Sequence, residues 1–316
     1  MTVMTQPAIV AAGVICWRKA EGGLQVLLVN RGTRADVSWP KGKQVRGESL
    51  PEAAVRETRE ETGLSISLGA PLGVTEYPLP GGRDKIVHYW AAEVRSATLD
   101  SGAFSASAEV GSVDWVSPGE ARARLTYDRD RDLVDVVTAR AEKNQLRTFA
   151  IVALRHGKAV AAGSWSGTDS TRPLEQTGLD EARKAARAIA SFRPRKLISS
   201  TAARCMSTIE PLASLTGLDV RATTAIGQDA YEEGEADVRG VVDKRIAKRD
   251  TAVLCSHGPV LPEILGQIGV ATGEPRSDAL RRASLLGTGD FAVVHLSRAR
   301  PESGIVAVEV HASSDY

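Results

Sequence analysis

The sequence predicts two α/β domains in tandem, and three observations carry that prediction. The chain has 316 residues, about twice the length of an ordinary single domain. Its second half alternates short apolar runs with helix-length segments, the rhythm of a mostly parallel sheet with helices on both faces. Its first half differs, with short β-rich runs and turn clusters around one strong helix. The rhythm changes across residues 140–148, which are charged and lack a continuous apolar face. Domains are therefore expected at 1–143 and 144–316.

Each element has its own justification. Residues 8–16 and 24–29 read as strands around the turn Glu21-Gly22-Gly23. Ser49 and Glu52 then have capping-box spacing, Pro51 suits a first turn and Gly63 suits the stop, so a helix lies between Ser49 and Gly63. Residues 86–94 read as a strand after the turn at 78–82, and 113–116 as another. Ser117-Pro118-Gly119-Glu120 opens a further helix with capping-box spacing, and a charged helical stretch follows to about Asn144. In the second half, strands at 149–154, 196–199 and 252–255 alternate with helices at 177–191, 202–215 and 260–268.

Composition narrows the class of function. Charged residues make up 25% and the apolar set 42%, an ordinary globular balance that excludes disorder and collagen-like structure. Residues 1–146 hold 18 basic and 19 acidic side chains and the remainder 22 and 20, so neither half is a basic nucleic-acid domain. The apolar run 8–16 is too short to span a bilayer, and the first basic residue, Arg18, follows it, the wrong order for a signal peptide. Cys16, Cys205 and Cys255 are isolated and odd in number, which indicates neither a disulfide framework nor a zinc site. A soluble, cytoplasmic protein with no nucleic-acid or membrane partner is expected.

The first chemical constellation is a carboxylate helix behind a lysine loop. Trp39-Pro40-Lys41-Gly42-Lys43-Gln44-Val45-Arg46-Gly47-Glu48 runs into the helix that carries Arg56, Glu57, Glu60 and Glu61. Glu57 and Glu61 are one turn apart and Glu60 is three residues from Glu57, so the three can converge on one side. Leu50, Ala53 and Ala54 continue the same stripe, which puts carboxylates where a core-facing helix normally carries aliphatic residues. Converging like charges are costly unless a divalent cation neutralises them, and hard oxygen ligands suit Mg²⁺ or Mn²⁺. A solvated acidic face partnered by Arg56 and Arg59 is the plainer alternative.

The wider spacing decides between them. Gly42, five residues, Glu48, seven residues and then Arg56-Glu57-Thr58-Arg59-Glu60-Glu61-Thr62-Gly63-Leu64 resembles the Nudix box, departing only at Thr58, where the pattern has an aliphatic residue. The resemblance covers roughly residues 8–140 and implies a Nudix fold, a mixed sheet sandwiched by helices. It implies that Glu57, Glu60 and Glu61 bind Mg²⁺ with the Gly42 carbonyl, that Glu48 assists, and that Arg56 orients a glutamate. It also implies hydrolysis of a nucleoside diphosphate linked to another group, with Glu61 or Glu60 accepting the proton of the attacking water. Lys41 and Lys43 are positioned to neutralise a polyphosphate. Arg31, Ser38 and Tyr89 are further substrate-contact candidates, and Glu109 a candidate extra ligand.

The second constellation is two histidines and two arginines. The strand at 149–154 ends in Arg155-His156-Gly157, the strand at 252–255 in Ser256-His257-Gly258-Pro259, and the strand at 196–199 in a turn leading to Arg204. Parallel sheets bind ligands at such ends, arginines hold phosphoryl oxygens bidentately, and an imidazole is a competent nucleophile. Leu154-Arg155-His156-Gly157, Arg172-Pro173-Leu174 with Gly178, Ser200 to Arg204, and Ser256-His257-Gly258 resemble the histidine phosphatase superfamily, in its short SixA-like branch. The resemblance covers about residues 149–316. It implies that His156 is the phosphorylated nucleophile and that Arg155, Arg204 and His257 hold the phosphate; Glu232 and Glu233 are candidates for the proton donor.

Together the two matches resemble the two-domain MutT-type proteins of actinobacteria. That resemblance implies sanitation of the nucleotide pool, with 8-oxo-dGTP and 8-oxo-GTP cleaved to the diphosphates with Mg²⁺; the segment Trp39-Pro40-Lys41-Gly42-Lys43 also resembles diadenosine polyphosphate hydrolases, which implies those dinucleotides as further substrates. Two alternatives remain for the second half: an independent phosphohistidine or phosphoester phosphatase, or a non-catalytic interaction module that builds a homo-oligomer through domain contacts.

Overall fold

The computed structural model describes residues 7–32, 36–95 and 110–315, and its internal contacts divide the chain into two compact units, 1–146 and 147–316. The first is built on a mixed sheet. In sequence its strands are β1 (Ile9–Ala20), β2 (Gly23–Arg31), β3 (Asp36–Ser38), β4 (Lys41–Lys43), β5 (Pro71–Pro78), β6 (Asp84–Glu93) and β7 (Ser112–Val116). They lie in the order β3-β2-β1-β6-β5, with β4 also on β1 and β7 also on β2. Only β1 and β6 run parallel among these pairings.

Strand alternation assigns the two faces. Ala11, Ile15 and Trp17 of β1 pack with Ala121 and Leu125 of α2 (Pro118–Arg124) and with Leu133, Val134 and Val137 of α3 (Asp128–Glu142). Ala12 points the other way, where its partner Gly42 faces α1 (Leu50–Thr62). The expected capping box is present: Ser49 Oγ accepts the Glu52 N–H at 3.3 Å, and Glu52 Oε2 accepts the Ser49 N–H at 2.9 Å. Gly63 ends α1 at φ 72°, in the left-handed region that favours glycine. Thr58 takes its aliphatic position because its hydroxyl donates to the Ala54 carbonyl at 2.7 Å and so buries no unpaired group.

One expectation is corrected here. The charged stretch after Ser117 is two helices, not one. Thr126 breaks it, because its N–H donates to the Val37 carbonyl and its Oγ1 accepts the Val37 N–H, tying the turn to β3.

The second unit carries β8 (Thr148–Arg155), β9 (Lys196–Ser200), β10 (Val220–Thr223), β11 (Ala252–Ser256), β12 (Phe291–Ser297) and β13 (Ile305–His311), in the order β10-β9-β11-β8-β12-β13. The first four run parallel; β12 and β13 are antiparallel additions at one side. Its helices are α4 (Gln176–Ala190), α5 (Ala203–Thr216), α6 (Gln228–Glu232), α7 (Val238–Lys248), α8 (Leu261–Ala271) and α9 (Asp278–Ala283). Ile151, Ala153, Leu254 and Val294 meet α7, α8 and α9 in one core, while α4 packs on α5 and α5 on β9 and β11. Among the described residues no helix is long and apolar enough to cross a membrane.

One buried charge should show in acid stability. Glu309 on β13 is held between His295 Nε2 at 2.6 Å and His311 Nε2 at 3.5 Å. Burial opposes its charge, but the two histidine bonds prevail and lower its pKa from the ordinary 4.5 to about 2. A lowered carboxylate pKa stabilises the fold above pH 4.5, and that stabilisation is lost as pH falls towards 2. Glu309→Gln should therefore lower stability by roughly 3 kcal/mol at pH 7. The deficit should shrink below pH 3 in denaturant melts; an equal deficit at both pH values would contradict the assignment.

Candidate active sites

The first site grows from β4. Gly42 is fixed by its ladder to Ala12, and a Cβ there would fall inside the Glu57 carboxylate, so any larger residue must push that side chain aside. Arg56 is the hub of the helix. It grips Glu48 with Nε at 2.8 Å and Nη2 at 2.9 Å, and its Nη1 donates to Glu57 at 2.8 Å and Glu60 at 3.0 Å. Nη2 also reaches the Lys43 carbonyl at 3.0 Å, binding helix to loop. Glu61 turns the other way and is buried. One oxygen takes Arg31 Nη2 at 2.5 Å and the other the Lys41 N–H at 2.9 Å. Burial pushes the Glu61 pKa up, with Arg31 and Lys41 pulling it down.

Guanidinium groups thus compensate the glutamates, and among the described residues no group of three is arranged to hold a metal ion as it stands. The chemistry of the donor set nonetheless fits a hard cation: Gly42 brings its strand against the Glu57 carboxylate, and Glu57, Glu60 and Glu61 are oxygen donors on one helix.

Cations line the other face of β4, within electrostatic reach of Glu61. Lys41 and Lys43 pair with Gly13 and Ala11, while Lys85, Val87 and Tyr89 pair with Ile9, Ala11 and Gly13, so the three lysines and Tyr89 share a face. Burial first, then Lys41, Arg31 and Lys43, lower the Lys85 pKa to about 8. Behind them Tyr89 donates to Asp130 Oδ1 at 3.4 Å and Trp39 Nε1 to the Asp130 carbonyl at 2.9 Å.

The second site lies at the C-terminal ends of β8, β11 and β9, three neighbours in the sheet. His156 Nδ1 is 2.8 Å from the Gly157 carbonyl, which can only accept; Nδ1 therefore carries the proton and Nε2 keeps its lone pair. His257 lies beside it, ring centroids 5.3 Å apart, with Nε2 2.9 Å from Ser200 Oγ. Burial first, then Arg204 and the neighbouring cations, lower the His156 pKa to about 4 despite the Gly157 bond. Burial, Arg204 and His156 lower His257 to about 3. Arg155 donates to the Leu286 carbonyl at 2.6 Å beneath the Gly258 turn. A Cβ on Gly157 would stand 2.5 Å from the Gly178 carbonyl, so the motif glycine permits backbone to pack on backbone. The Gly157 N–H is taken by Thr208 Oγ1 at 2.9 Å.

Comparison with known proteins follows this geometry. The NUDIX domain model matches residues 7–137, and the histidine phosphatase superfamily (branch 1) model matches residues 151–228. The 8-oxo-(d)GTP phosphatase of Mycolicibacterium smegmatis is 32% identical over 264 residues, which is 81% of this chain and 79% of that protein. The chain belongs to the Nudix hydrolases. The asymmetrical bis(5'-nucleosyl)-tetraphosphatase of Caenorhabditis elegans is 31% identical over 27% of this Nudix hydrolase and 65% of its own length. Among solved structures, a mycobacterial glucosyl-3-phosphoglycerate phosphatase aligns at 19% identity and a TM-score of 0.38, over 52% of this chain and 98% of that one.

This Nudix hydrolase brings Arg31, Lys41, Gly42, Glu57 and Glu61 together, and joins Glu57, Glu60 and Glu48 through Arg56. Ser38 and Tyr89 are fully buried instead of lining an open surface, Ser38 with its Oγ unbonded. Glu109 lies outside the described residues. The histidine phosphatase domain gathers His156, His257, Arg155 and Arg204 as expected from strand ends. Glu232 is reached from Arg204 only through Gln228, whose Nε2 donates to Glu232 at 2.8 Å while its Oε1 lies 3.4 Å from Arg204 Nη2. Lys85, Asp169 and Gln228 escape sequence reasoning. Only strand register or a long loop brings them in, and no local motif signals either.

Proposed function

We propose that this Nudix hydrolase cleaves 8-oxo-dGTP and 8-oxo-GTP to the diphosphates with Mg²⁺, or with Mn²⁺ in its place, and also cleaves dinucleoside polyphosphates. The observation that carries the reading is the placement of Arg31, Lys41, Lys43 and Lys85 around the loop that precedes the carboxylate helix. Similarity to the M. smegmatis enzyme over most of both chains supports the base; similarity to the C. elegans tetraphosphatase supports the dinucleotides.

Glu57, Glu60, Glu61 and the Gly42 carbonyl would hold the cation, which when bound polarises phosphoryl oxygens and acidifies water. Glu61 or Glu60 accepts the water proton, and Glu61 is the better oriented of the two because Arg31 and the Lys41 N–H fix both its oxygens. Lys41, Lys43 and Lys85 anchor the polyphosphate along its length, which sets the terminal phosphorus at the reacting position. Hydrolysis in ¹⁸O-labelled water tests this directly. Label is expected in inorganic phosphate, alongside nucleoside diphosphate; pyrophosphate and monophosphate in equal amounts would refute the reading.

The second domain is read as a phosphoryl pocket with His156 as nucleophile and Arg155, Arg204 and His257 as phosphate contacts. Its residues are separate from the carboxylate helix. His156→Ala should leave metal-dependent triphosphate hydrolysis within a few-fold of the parent in steady-state assays. A much larger loss in a folded variant would mean that the two sites act together.

A further inference from the structure

The phosphoryl pocket of the second domain already contains an anion of its own. Asp169 sits in a single helical turn, Asp169–Thr171, on the loop between β8 and α4. Its Oδ2 accepts Arg204 Nη2 at 2.8 Å, its backbone carbonyl accepts Arg204 Nη1 at 2.7 Å, and its Oδ1 accepts Arg172 Nε at 2.7 Å. Both terminal nitrogens of the buried Arg204 are therefore engaged by one residue, with Gln228 Oε1, 3.4 Å from Nη2, as a longer second contact. Those are the donors a phosphoryl group takes in a bidentate grip. Meanwhile Arg155 Nε and Arg204 Nε are buried without a hydrogen-bond partner, so the pocket retains donors that Asp169 does not satisfy.

The ordinary role for a carboxylate in such a pocket is proton donor to the leaving group. The surroundings of Asp169 argue against it. Partial burial favours the neutral acid, but the bonds from Arg172 and Arg204 outweigh it and hold the carboxyl below its usual pKa. A group kept ionised by two guanidinium ions has no proton to give at neutral pH.

We propose that Asp169 is the resident occupant of the phosphate pocket, and that a phosphoryl dianion enters by displacing it from Arg204 and Arg172. Arg172 then becomes a third guanidinium available to the incoming group. Asp169 is more than a third exposed and Arg204 is fully enclosed, so the aspartate is the partner free to swing away. A singly charged anion gains little over the carboxylate it replaces, whereas a phosphoryl dianion offers more charge and more acceptor oxygens to the same donors. Asp169 is thereby a selectivity filter as well as a plug.

The proposal rests on reading this pocket as a phosphoryl site, and the test separates the two. Inorganic phosphate is titrated calorimetrically into the full chain in metal-free buffer, for the parent, Asp169→Asn, Arg204→Lys and the double variant. Asparagine keeps an acceptor for the arginines but removes the charge, and Asp169→Asn should bind phosphate about tenfold more tightly. The gain should shrink in the Arg204→Lys background, where only the Arg172 contact remains to be released, as a double-mutant cycle requires of contacting residues. An undiminished gain there is a through-space charge effect and overturns the proposal, as does unchanged phosphate affinity with lower phosphoester turnover, the signature of a proton donor. Phosphate binding by the parent that ignores Arg204→Lys overturns the reading of the pocket instead. A crystal structure of the unmodified chain with vanadate gives an answer even where a variant fails to fold. Displaced Asp169 is expected; Asp169 still on both arginines beside bound vanadate is disproof.

Discussion

Glu61→Gln should lower metal-dependent nucleoside triphosphate hydrolysis by roughly 10²-fold or more, mostly in kcat. The substitution keeps the shape of the side chain and removes its charge and basicity. Glu61 is buried, and its two oxygens are fixed by Arg31 at 2.5 Å and by the Lys41 N–H at 2.9 Å. Glutamine satisfies at most one of these without rotating an N–H group against a donor. The proposed anchoring of substrate by Lys41, Lys43 and Lys85 is untouched, which is why KM should change less than kcat. Steady-state rates with Mg²⁺ decide the matter, with a thermal melt to establish that the variant is folded. Parent-like rates in Glu61→Gln, or full activity of the parent in excess chelator, would sink the assignment.

Gly42→Ala should be nearly as damaging, with a loss of roughly 10²-fold in kcat/KM. A single methyl group placed at 42 lands on the Glu57 carboxylate. The Glu57 carboxylate, the far end of a flexible side chain, is the side that yields. β4 is laddered to β1 through Lys41, Gly42 and Lys43, and Glu57 is tethered to Arg56, which in turn holds Glu48 and Glu60. Relief must come from moving Glu57, and with it a proposed cation ligand. Overpacking of this kind costs about 1–3 kcal/mol, so the melting temperature should fall only modestly while activity collapses. A variant with parental kcat/KM would show that Glu57 can retreat without consequence.

The Nudix helix and its box were legible because their signals are local. Capping residues, a stop glycine and carboxylates three and four residues apart all fall within a short stretch of chain. Thr58 breaks the aliphatic pattern, yet its hydroxyl closes on Ala54 within the same helix, so the departure had no structural consequence. Three parallel strands of the second domain, β8, β9 and β11, were equally readable, since crossover helices space their apolar runs; β10, also parallel, is only four residues long and shows no such run. β12 and β13 obey no such rule, because antiparallel neighbours are joined by a short turn, and the alternation of strands and helices is silent about them. β5 is bounded by prolines at Pro71 and Pro78 and interrupted by a register shift between Pro71 and Gly73, which masks its period. Lys85 and Asp169 mark the limit most plainly. Lys85 reaches the face of Lys41 and Lys43 through pairing of β6 with β1, and Asp169 reaches Arg204 across 35 positions of sequence. Ser38 and Tyr89 illustrate the converse. Closeness to the box in sequence, or to a neighbouring strand, put them near the site, but strand alternation turned Tyr89 inward onto Asp130.

The imidazoles of the second pocket have a consequence for how it senses acidity. With His156 lowered to about 4 and His257 to about 3, both rings are neutral across the physiological range. The positive charge that attracts an anion there belongs to guanidinium groups, which do not titrate in that range. The carboxylate that opposes it, Asp169, is held ionised. The pocket is therefore a trap of fixed polarity, with no internal proton equilibrium to tune it near neutrality. In the free pocket nothing titrates near neutrality, whereas the visitor does. A phosphate monoester takes up its second proton at a pKa of about 6. Capture should weaken as the medium acidifies through that point, following the ionisation of the ligand rather than that of the protein.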